Sequence, residues 1–125
     1  MNKLIIASLL LGLSTTSQAG DKIAGEKKAN EKACFSCHGK DYKSPIDPTY
    51  PILAGQHEDY LLATLKQYKR ASTAEKTAAL TRTNAIMGGQ AAGLSTKDME
   101  DIAAYLASLP GPLAINPESR LIKTK

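Results

Sequence analysis

The sequence predicts an all-α fold of three or four helices joined by long loops. Two segments, 57–70 and 95–109, repeat apolar residues at helical spacing, and no segment shows the strict alternation that is typical of a β-strand. The connecting segments are long for a chain of this size, and long loops in a small domain are usually functional. A large ligand enclosed by these loops would explain their length.

The first predicted helix covers residues 21–33, which contain Ala, Lys and Glu and no proline, and it runs into Cys34. Residues 39–51 are predicted to form a loop, because Asp and Ser are interspersed with three prolines. These prolines are Pro45, Pro48 and Pro51.

The second predicted helix extends from about His57 to Arg70. Its residues Leu61, Leu65 and Tyr68 lie on one face, and several cations crowd its C-terminal end. Positive charge at that end favours the helix macrodipole, so these cations are interpreted as capping and solubilising residues.

Residues 71–93 are rich in Thr, Ala and Gly and are predicted to be largely loop, with a short helical piece. The last helix is the clearest, because Ser95 and Asp98 form a pattern like a capping box at its start and Pro110 stops it. Its apolar face consists of Met99, Ile102, Ala103, Leu106 and Leu109. Residues 110–125 form a basic tail with no evident period.

Residues 1–19 have the features of an export signal. Lys3 precedes an apolar run at 4–13, and Ser17 to Ala19 fits a small-x-small cleavage pattern. The apolar run is about half of the roughly 20 residues that a membrane-spanning helix needs. We therefore predict a cleaved signal peptide and a periplasmic protein, with an uncleaved membrane anchor as the alternative.

The composition of the remaining chain limits its function. Without residues 1–19 the chain has 106 residues, which is one domain by length, and we place that domain at 20–109. The net charge falls from +4 to +3 because only one lysine is lost, and this balance excludes a strongly basic nucleic-acid binder. With one Phe, five Tyr and no Trp, the chain has little aromatic area for its core, so another group is expected to complete it.

The segment Cys34-Phe35-Ser36-Cys37-His38 carries the chemistry. Two thiols at this spacing can add to the two vinyl groups of one haem, and the adjacent imidazole then lies beneath the iron as a ligand. The motif therefore predicts one covalently bound haem c, held through Cys34 and Cys37 with His38 on the iron.

Three other interpretations compete for these residues. A redox-active pair of the thioredoxin kind requires a βαβ context, which the sequence lacks. A zinc site requires four ligands, and His57 is the only evident fourth. A disulfide, the ordinary expectation for two cysteines in an exported protein, leaves His38 unexplained.

These residues and their surroundings resemble the class I cytochromes c of the small bacterial periplasmic kind, and in particular one domain of the di-haem periplasmic cytochromes. The matching stretches are 33–39 (ACFSCHG), 51–56 (PILAGQ), 84–89 (NAIMGG) and 94–109, and together they cover most of 25–109. The resemblance implies a class I cytochrome c fold wrapped around one covalently bound haem.

The resemblance also implies two further site residues. Pro51 matches the proline whose carbonyl accepts a hydrogen bond from the ring N–H of the proximal histidine, here His38. Met87 matches the sulfur ligand on the other side of the iron; it lies beside two glycines, whereas Met99 lies in the apolar stripe of the last helix. His57 is the rival for the sixth position.

The resemblance extends to the packing of the first and last helices. Gly25 and Tyr105 match the glycine and the aromatic residue through which these helices cross. The sequence departs from the family where Lys28 and Ala29 replace an aromatic residue of the first helix, and where 70–73 lacks the usual glycine.

A haem with both axial positions filled has no open site, so the expected function is single-electron transfer and not catalysis by this chain alone. The expected partners are a reductase, an oxidase or a dehydrogenase, with this chain a monomer or a subunit. The alternatives are the cytochrome subunit of a periplasmic dehydrogenase and a haem sensor in which Met87 is weakly bound. Lysines that could meet acidic partners, or simply form a solvated face, flank the attachment site: Lys22, Lys27, Lys28, Lys32, Lys40 and Lys43.

Overall fold

The computed structural model describes residues 19–73 and 81–112, which form five helices and no strand. These helices are α1 (Lys22–Glu31), α2 (Phe35–His38), α3 (Glu58–Ser72), α4 (Ala85–Ala92) and α5 (Thr96–Ser108). The all-α prediction is confirmed. The predicted signal peptide, apart from its last residue, and the tail beyond residue 112 lie outside the described residues. Within the described ranges, no helix is both long and apolar enough to cross a membrane.

Helix α1 begins with a side-chain cap. The Asp21 carboxylate accepts hydrogen bonds from the backbone N–H groups of Ile23 and Ala24, at 2.9 and 3.2 Å. The helix ends at Glu31, two residues earlier than predicted, and Ala33 adopts a left-handed backbone with φ 51°. The chain therefore turns before the first cysteine instead of running into it as one helix.

Helices α1 and α5 cross in direct backbone contact. A Cβ placed on Gly25 would lie 1.9 Å from the carbonyl oxygen of Asp101 and 2.9 Å from the Cβ of Tyr105, so only glycine fits at this crossing. The buried Asp101 carboxylate also accepts a hydrogen bond from the backbone N–H of Asp21, at 2.7 Å. The expected crossing at Gly25 and Tyr105 is present.

Tyr42 supplies an aromatic ring that α1 lacks. Ala29 is fully buried, and Tyr42 joins it in the same core cluster with only 2% of its surface exposed. The ring of Tyr42 stands perpendicular to that of Tyr105, with 5.9 Å between centroids. Tyr42 has φ 55°, a conformation that is uncommon for a bulky residue, and its carbonyl accepts hydrogen bonds from the N–H groups of Leu53 and Ala54.

Helix α3 packs against both α4 and α5. It continues to Ser72, two residues beyond the predicted end, and the Lys69 ammonium near that end donates to the carbonyl oxygen of Leu94. The region 71–93 is more helical than predicted, since α4 occupies eight of its residues. Met87 lies in this helix.

Helix α5 starts with the predicted capping box. The Ser95 hydroxyl accepts from the Asp98 N–H at 3.0 Å, and the Asp98 carboxylate accepts from the Ser95 N–H at 2.8 Å. Beyond the helix, a Cβ on Gly111 would lie 1.8 Å from the carbonyl oxygen of Ala54. The start of the C-terminal tail thus packs against the loop that precedes α3.

Candidate functional site

Helix α2 brings the two cysteines and the histidine together. It is held to α1 by a hydrogen bond from the Cys34 N–H to the carbonyl of Ala29, at 3.0 Å, and its own turn closes with His38 N–H donating to the Cys34 carbonyl at 3.2 Å. Both thiols are free and half-buried. Burial raises the pKa of the Cys34 thiol, so this sulfur stays protonated at neutral pH.

The imidazole of His38 is buried and fixed in orientation. Only 5% of the residue is exposed, and Nδ1 lies 2.9 Å from the carbonyl oxygen of Pro51. A carbonyl can only accept, so Nδ1 carries a proton, and in the neutral form of the ring Nε2 has the lone pair that a metal needs. The ring of Tyr50 meets the imidazole edge-on, with 6.2 Å between centroids and 66° between planes.

The loop after His38 turns back so that Pro51 reaches the imidazole. Gly39 has φ 83°, and a Cβ there would lie 2.1 Å from the carbonyl oxygen of Ser44, so the turn requires glycine. Asp41 accepts the N–H groups of Lys43 and Ser44, at 2.9 and 2.8 Å, and these hydrogen bonds lower the pKa of its carboxyl.

Met87 lies on a different element, in the first turn of α4. The side-chain oxygen of Asn84 accepts from the Met87 N–H at 3.0 Å, and this cap fixes the start of the helix. Met87 is half-buried, whereas Met99 is only 3% exposed in the core, as the sequence predicted. His57 is exposed at the start of α3.

Large apolar side chains next to these residues are exposed to solvent. Ile46, whose N–H donates to the Cys37 carbonyl, is 70% exposed. Ile52 follows Pro51 and is 39% exposed, and Ile86 precedes Met87 and is 55% exposed. A flat apolar group held by Cys34, Cys37 and His38 would cover such surfaces, so the residues present fit a porphyrin.

The lysines that flank the cysteines differ in their surroundings. The Lys28 ammonium pairs with Glu31 at 3.0 Å and with Asp98 at 3.4 Å, so its charge is engaged within the fold. Lys40 and Lys43 are exposed in the loop that follows His38.

Within the part of the chain that the structure describes, no group of three or more His, Cys, Asp or Glu side chains could hold a metal ion.

Comparison with known proteins decides the family. The family model described as cytochrome c matches residues 22–110, where the cysteine pair, His38 and Met87 are found. The chain belongs to the cytochrome c family. The predicted class I c-type cytochrome and its fold are thereby confirmed, and covalently bound haem c is the cofactor of this family.

Several cytochromes c are similar to this chain. It is 44% identical to cytochrome c4 of Stutzerimonas stutzeri over 89% of its own length and 52% of that protein. It is 41% identical to cytochrome c-554(548) of Halomonas halodenitrificans over 72% of this chain and 98% of the relative. The crystal structure of reduced recombinant cytochrome c4 from Pseudomonas stutzeri superposes with a TM-score of 0.65 at 42% identity, covering 74% of this chain and 47% of that one. The chain thus spans about half the length of the cytochrome c4 relatives that it matches.

The roles of two residues near the site were not predicted from the sequence. Tyr50 contacts the His38 ring, and the only sequence signal for it was an aromatic residue directly before Pro51. Asn84 caps the helix of Met87; an Asn just before Ala85 and Ile86 is a typical helix start, but the glycines that follow obscured the helix.

Proposed function

We propose that this chain carries single electrons in the periplasm through one haem c. In this proposal Cys34 and Cys37 form the two thioether bonds, and His38 and Met87 are the axial ligands of the iron. The haem supplies a one-electron couple when bound. The chain is an electron-transfer protein and not an enzyme by itself.

The observation that carries the proposal is the hydrogen bond between His38 and Pro51. In the neutral ring this contact selects the tautomer in which Nε2 has a free electron pair, and it fixes the orientation of a ring that ends the short helix capped by Cys34 and containing Cys37. A buried imidazole with a fixed orientation next to two half-buried thiols supports covalent haem attachment at this site. Catalytic or general-base use of His38 would instead require access from solvent.

The role of Met87 follows from its position and its chemistry. The thioether is neutral and polarisable, and as an iron ligand it favours the ferrous state, which suits a carrier of positive reduction potential. Because the Asn84 cap orders the first turn of α4, Met87 is held on a regular element instead of on a free loop. Two protein ligands leave no iron position for oxygen or peroxide.

The proposed partners are other redox proteins that carry acidic surfaces. The exposed Lys40 and Lys43, which follow the attachment site, support this proposal because cations attract acidic surfaces. A dehydrogenase is a specific candidate partner, because one relative, 32% identical over 86% of this chain and 46% of that protein, is named thiosulfate dehydrogenase electron acceptor, in Stutzerimonas stutzeri. A permanent subunit of a dehydrogenase complex is the second candidate function.

The test is an absorption spectrum of the exported protein, oxidised and then reduced, with a pyridine haemochrome and the weak far-red band of Met-ligated ferric haem. We expect a c-type haemochrome with one haem per chain and the far-red band. Met87→Leu should remove that band, whereas the matched variant Met99→Leu should keep it, because Met99 lies in the core.

Each other result selects a different conclusion. A c-type haemochrome without the far-red band in the wild-type protein would exclude Met87 as an iron ligand. His57, or an open position on the iron, would then be favoured. Carbon monoxide binding to the untreated ferrous protein would favour the sensor. No covalent haem would end the proposal, and stable co-purification with a larger catalytic chain would favour the dehydrogenase subunit.

A further inference from the structure

Arg82 anchors the segment that leads into α4 to α3. Its Nε donates to the side-chain oxygen of Gln67 at 3.0 Å, and its Nη2 donates to the hydroxyl of Tyr60 at 3.1 Å. The guanidinium carbon also lies 5.3 Å from the centre of the Tyr60 ring. The Arg82 N–H adds a long backbone contact of 3.5 Å to the Gln67 carbonyl.

The anchor is matched to the geometry of the helix beneath it. Tyr60 and Gln67 are seven residues apart on α3, so they lie on one face about two turns apart. The planar guanidinium has donors that diverge in a fixed fork, and this shape lets one side chain reach both partners. A lysine could reach one of them as a point charge but could not reproduce the fork.

The anchor connects directly to Met87 through the backbone. Arg82 lies two residues before Asn84, and Asn84 caps the Met87 N–H at 3.0 Å and accepts from the Gly88 N–H at 2.8 Å. Only Thr83 separates Arg82, which contacts α3, from Asn84, which caps the helix of Met87. A displacement of Arg82 from α3 is therefore transmitted to the first turn of α4.

We propose that Arg82 is a positioning residue for the electron-transfer site, and that its contacts with Tyr60 and Gln67 hold the Met87 sulfur at the iron. In this proposal Arg82 acts through its contacts with α3 and is not an iron ligand. The inference rests on the proposed function, since it presumes that Met87 is an axial ligand. Loss of the anchor raises the fraction of molecules in which the sulfur has left the iron.

The experiment measures how readily an added ligand displaces Met87. Imidazole is titrated into the ferric protein with haem bound, and loss of the far-red band is followed. An external ligand binds only the form in which Met87 is detached, so its apparent affinity rises with the population of that form. Arg82→Gln should raise that affinity about tenfold, and Tyr60→Phe should raise it about threefold, because each removes hydrogen bonds of ordinary strength.

Three control variants separate positioning from other effects. Lys27→Gln removes an exposed charge from α1 and should stay within about twofold of the wild type. Arg82→Lys keeps the positive charge but not the forked arrangement of donors. Its imidazole affinity should lie between those of the wild type and Arg82→Gln. Gly25→Ala weakens the distant crossing of α1 and α5, and should leave the imidazole affinity near the wild-type value.

The outcomes distinguish the two proposals. If the wild-type protein shows the far-red band and Arg82→Gln binds imidazole with the wild-type affinity, only the positioning role of Arg82 is overturned. An equal rise in Gly25→Ala would also overturn it, because the effect would then follow general stability. A wild-type ferric protein without the band would overturn both this inference and the proposed ligand set.

Discussion

Replacing Gly25 by alanine tests whether the crossing of α1 and α5 is as close as the structure shows. The added Cβ would lie 1.9 Å from the carbonyl oxygen and 2.5 Å from the carbonyl carbon of Asp101. Ordinary van der Waals contact begins at 3.4 Å, so the two helices must separate by more than about 1 Å. Both nearest atoms belong to the backbone, and no side-chain rotation can relieve the contact.

The magnitude is a difference of two opposing effects. Alanine in place of glycine within a helix stabilises by about 0.5–1 kcal/mol, because the unfolded chain loses conformational freedom. Overpacking a close interface costs about 1–3 kcal/mol and occasionally more. Since α1 is displaced from the buried face of α5, we take the upper end and expect Gly25→Ala to lower the free energy of unfolding by about 2 kcal/mol.

Gly89→Ala is the matched control, because a Cβ there meets no atom of the described residues within 4 Å. It should raise the free energy of unfolding by about 0.5–1 kcal/mol. Both variants are measured with haem bound, by urea denaturation followed by far-ultraviolet circular dichroism, and the far-red band is recorded to check the ligand. A Gly25→Ala protein as stable as the wild type would refute the close crossing.

Two further predictions concern Tyr42 and the lysines. Burial raises the pKa of Tyr42 from 10.0 to about 12, so the stability that depends on its neutral phenol is intact below pH 10 and is lost as the pH rises towards 12. The Tyr42 hydroxyl has no hydrogen-bond partner in the described ranges. Tyr42→Phe should therefore stabilise the fold by about 1 kcal/mol and weaken this pH dependence. Thermal unfolding at about pH 7 and about pH 11 measures both effects. The double variant Lys40→Glu, Lys43→Glu should slow electron exchange with an acidic redox protein at low salt, as measured by stopped flow. Lys28→Gln should change the rate much less, because Lys28 is paired within the fold. A double variant as fast as the wild type would exclude the loop lysines from docking.

The parts of the molecule that the sequence predicts are those with local signals. The capping box of Ser95 and Asp98 and the apolar stripe that follows fixed the start of α5 correctly. The contact between His38 and Pro51 came from the family resemblance, since residues thirteen positions apart give no periodic signal. Gly25 was recognised in the same way, because a glycine inside a helix has no local explanation.

The elements that the sequence missed depend on tertiary contacts. The glycines after Met87 lower the intrinsic helix propensity of α4, but Gly88 is buried with a Cβ position 3.6 Å from the Cβ of Ser72, so packing against α3 compensates. Tyr42 lies in a loop and has a left-handed backbone, and neither property suggests a core residue. Tyr42 is nevertheless buried in the same core cluster as Ala29, with its ring against that of Tyr105.

The two sides of the proposed haem site are stabilised in different ways, and this difference predicts how each side responds to change. The His38 side is fixed by backbone geometry: the left-handed turns at Ala33 and Gly39 and the Pro51 carbonyl. The Met87 side is fixed by side chains, through the Asn84 cap and the Arg82 anchor. Substitutions on the first side should therefore disturb folding and haem attachment together, because the backbone path itself changes. Substitutions on the Met87 side should weaken the bond between the iron and the Met87 sulfur in a chain that still folds and still carries its haem.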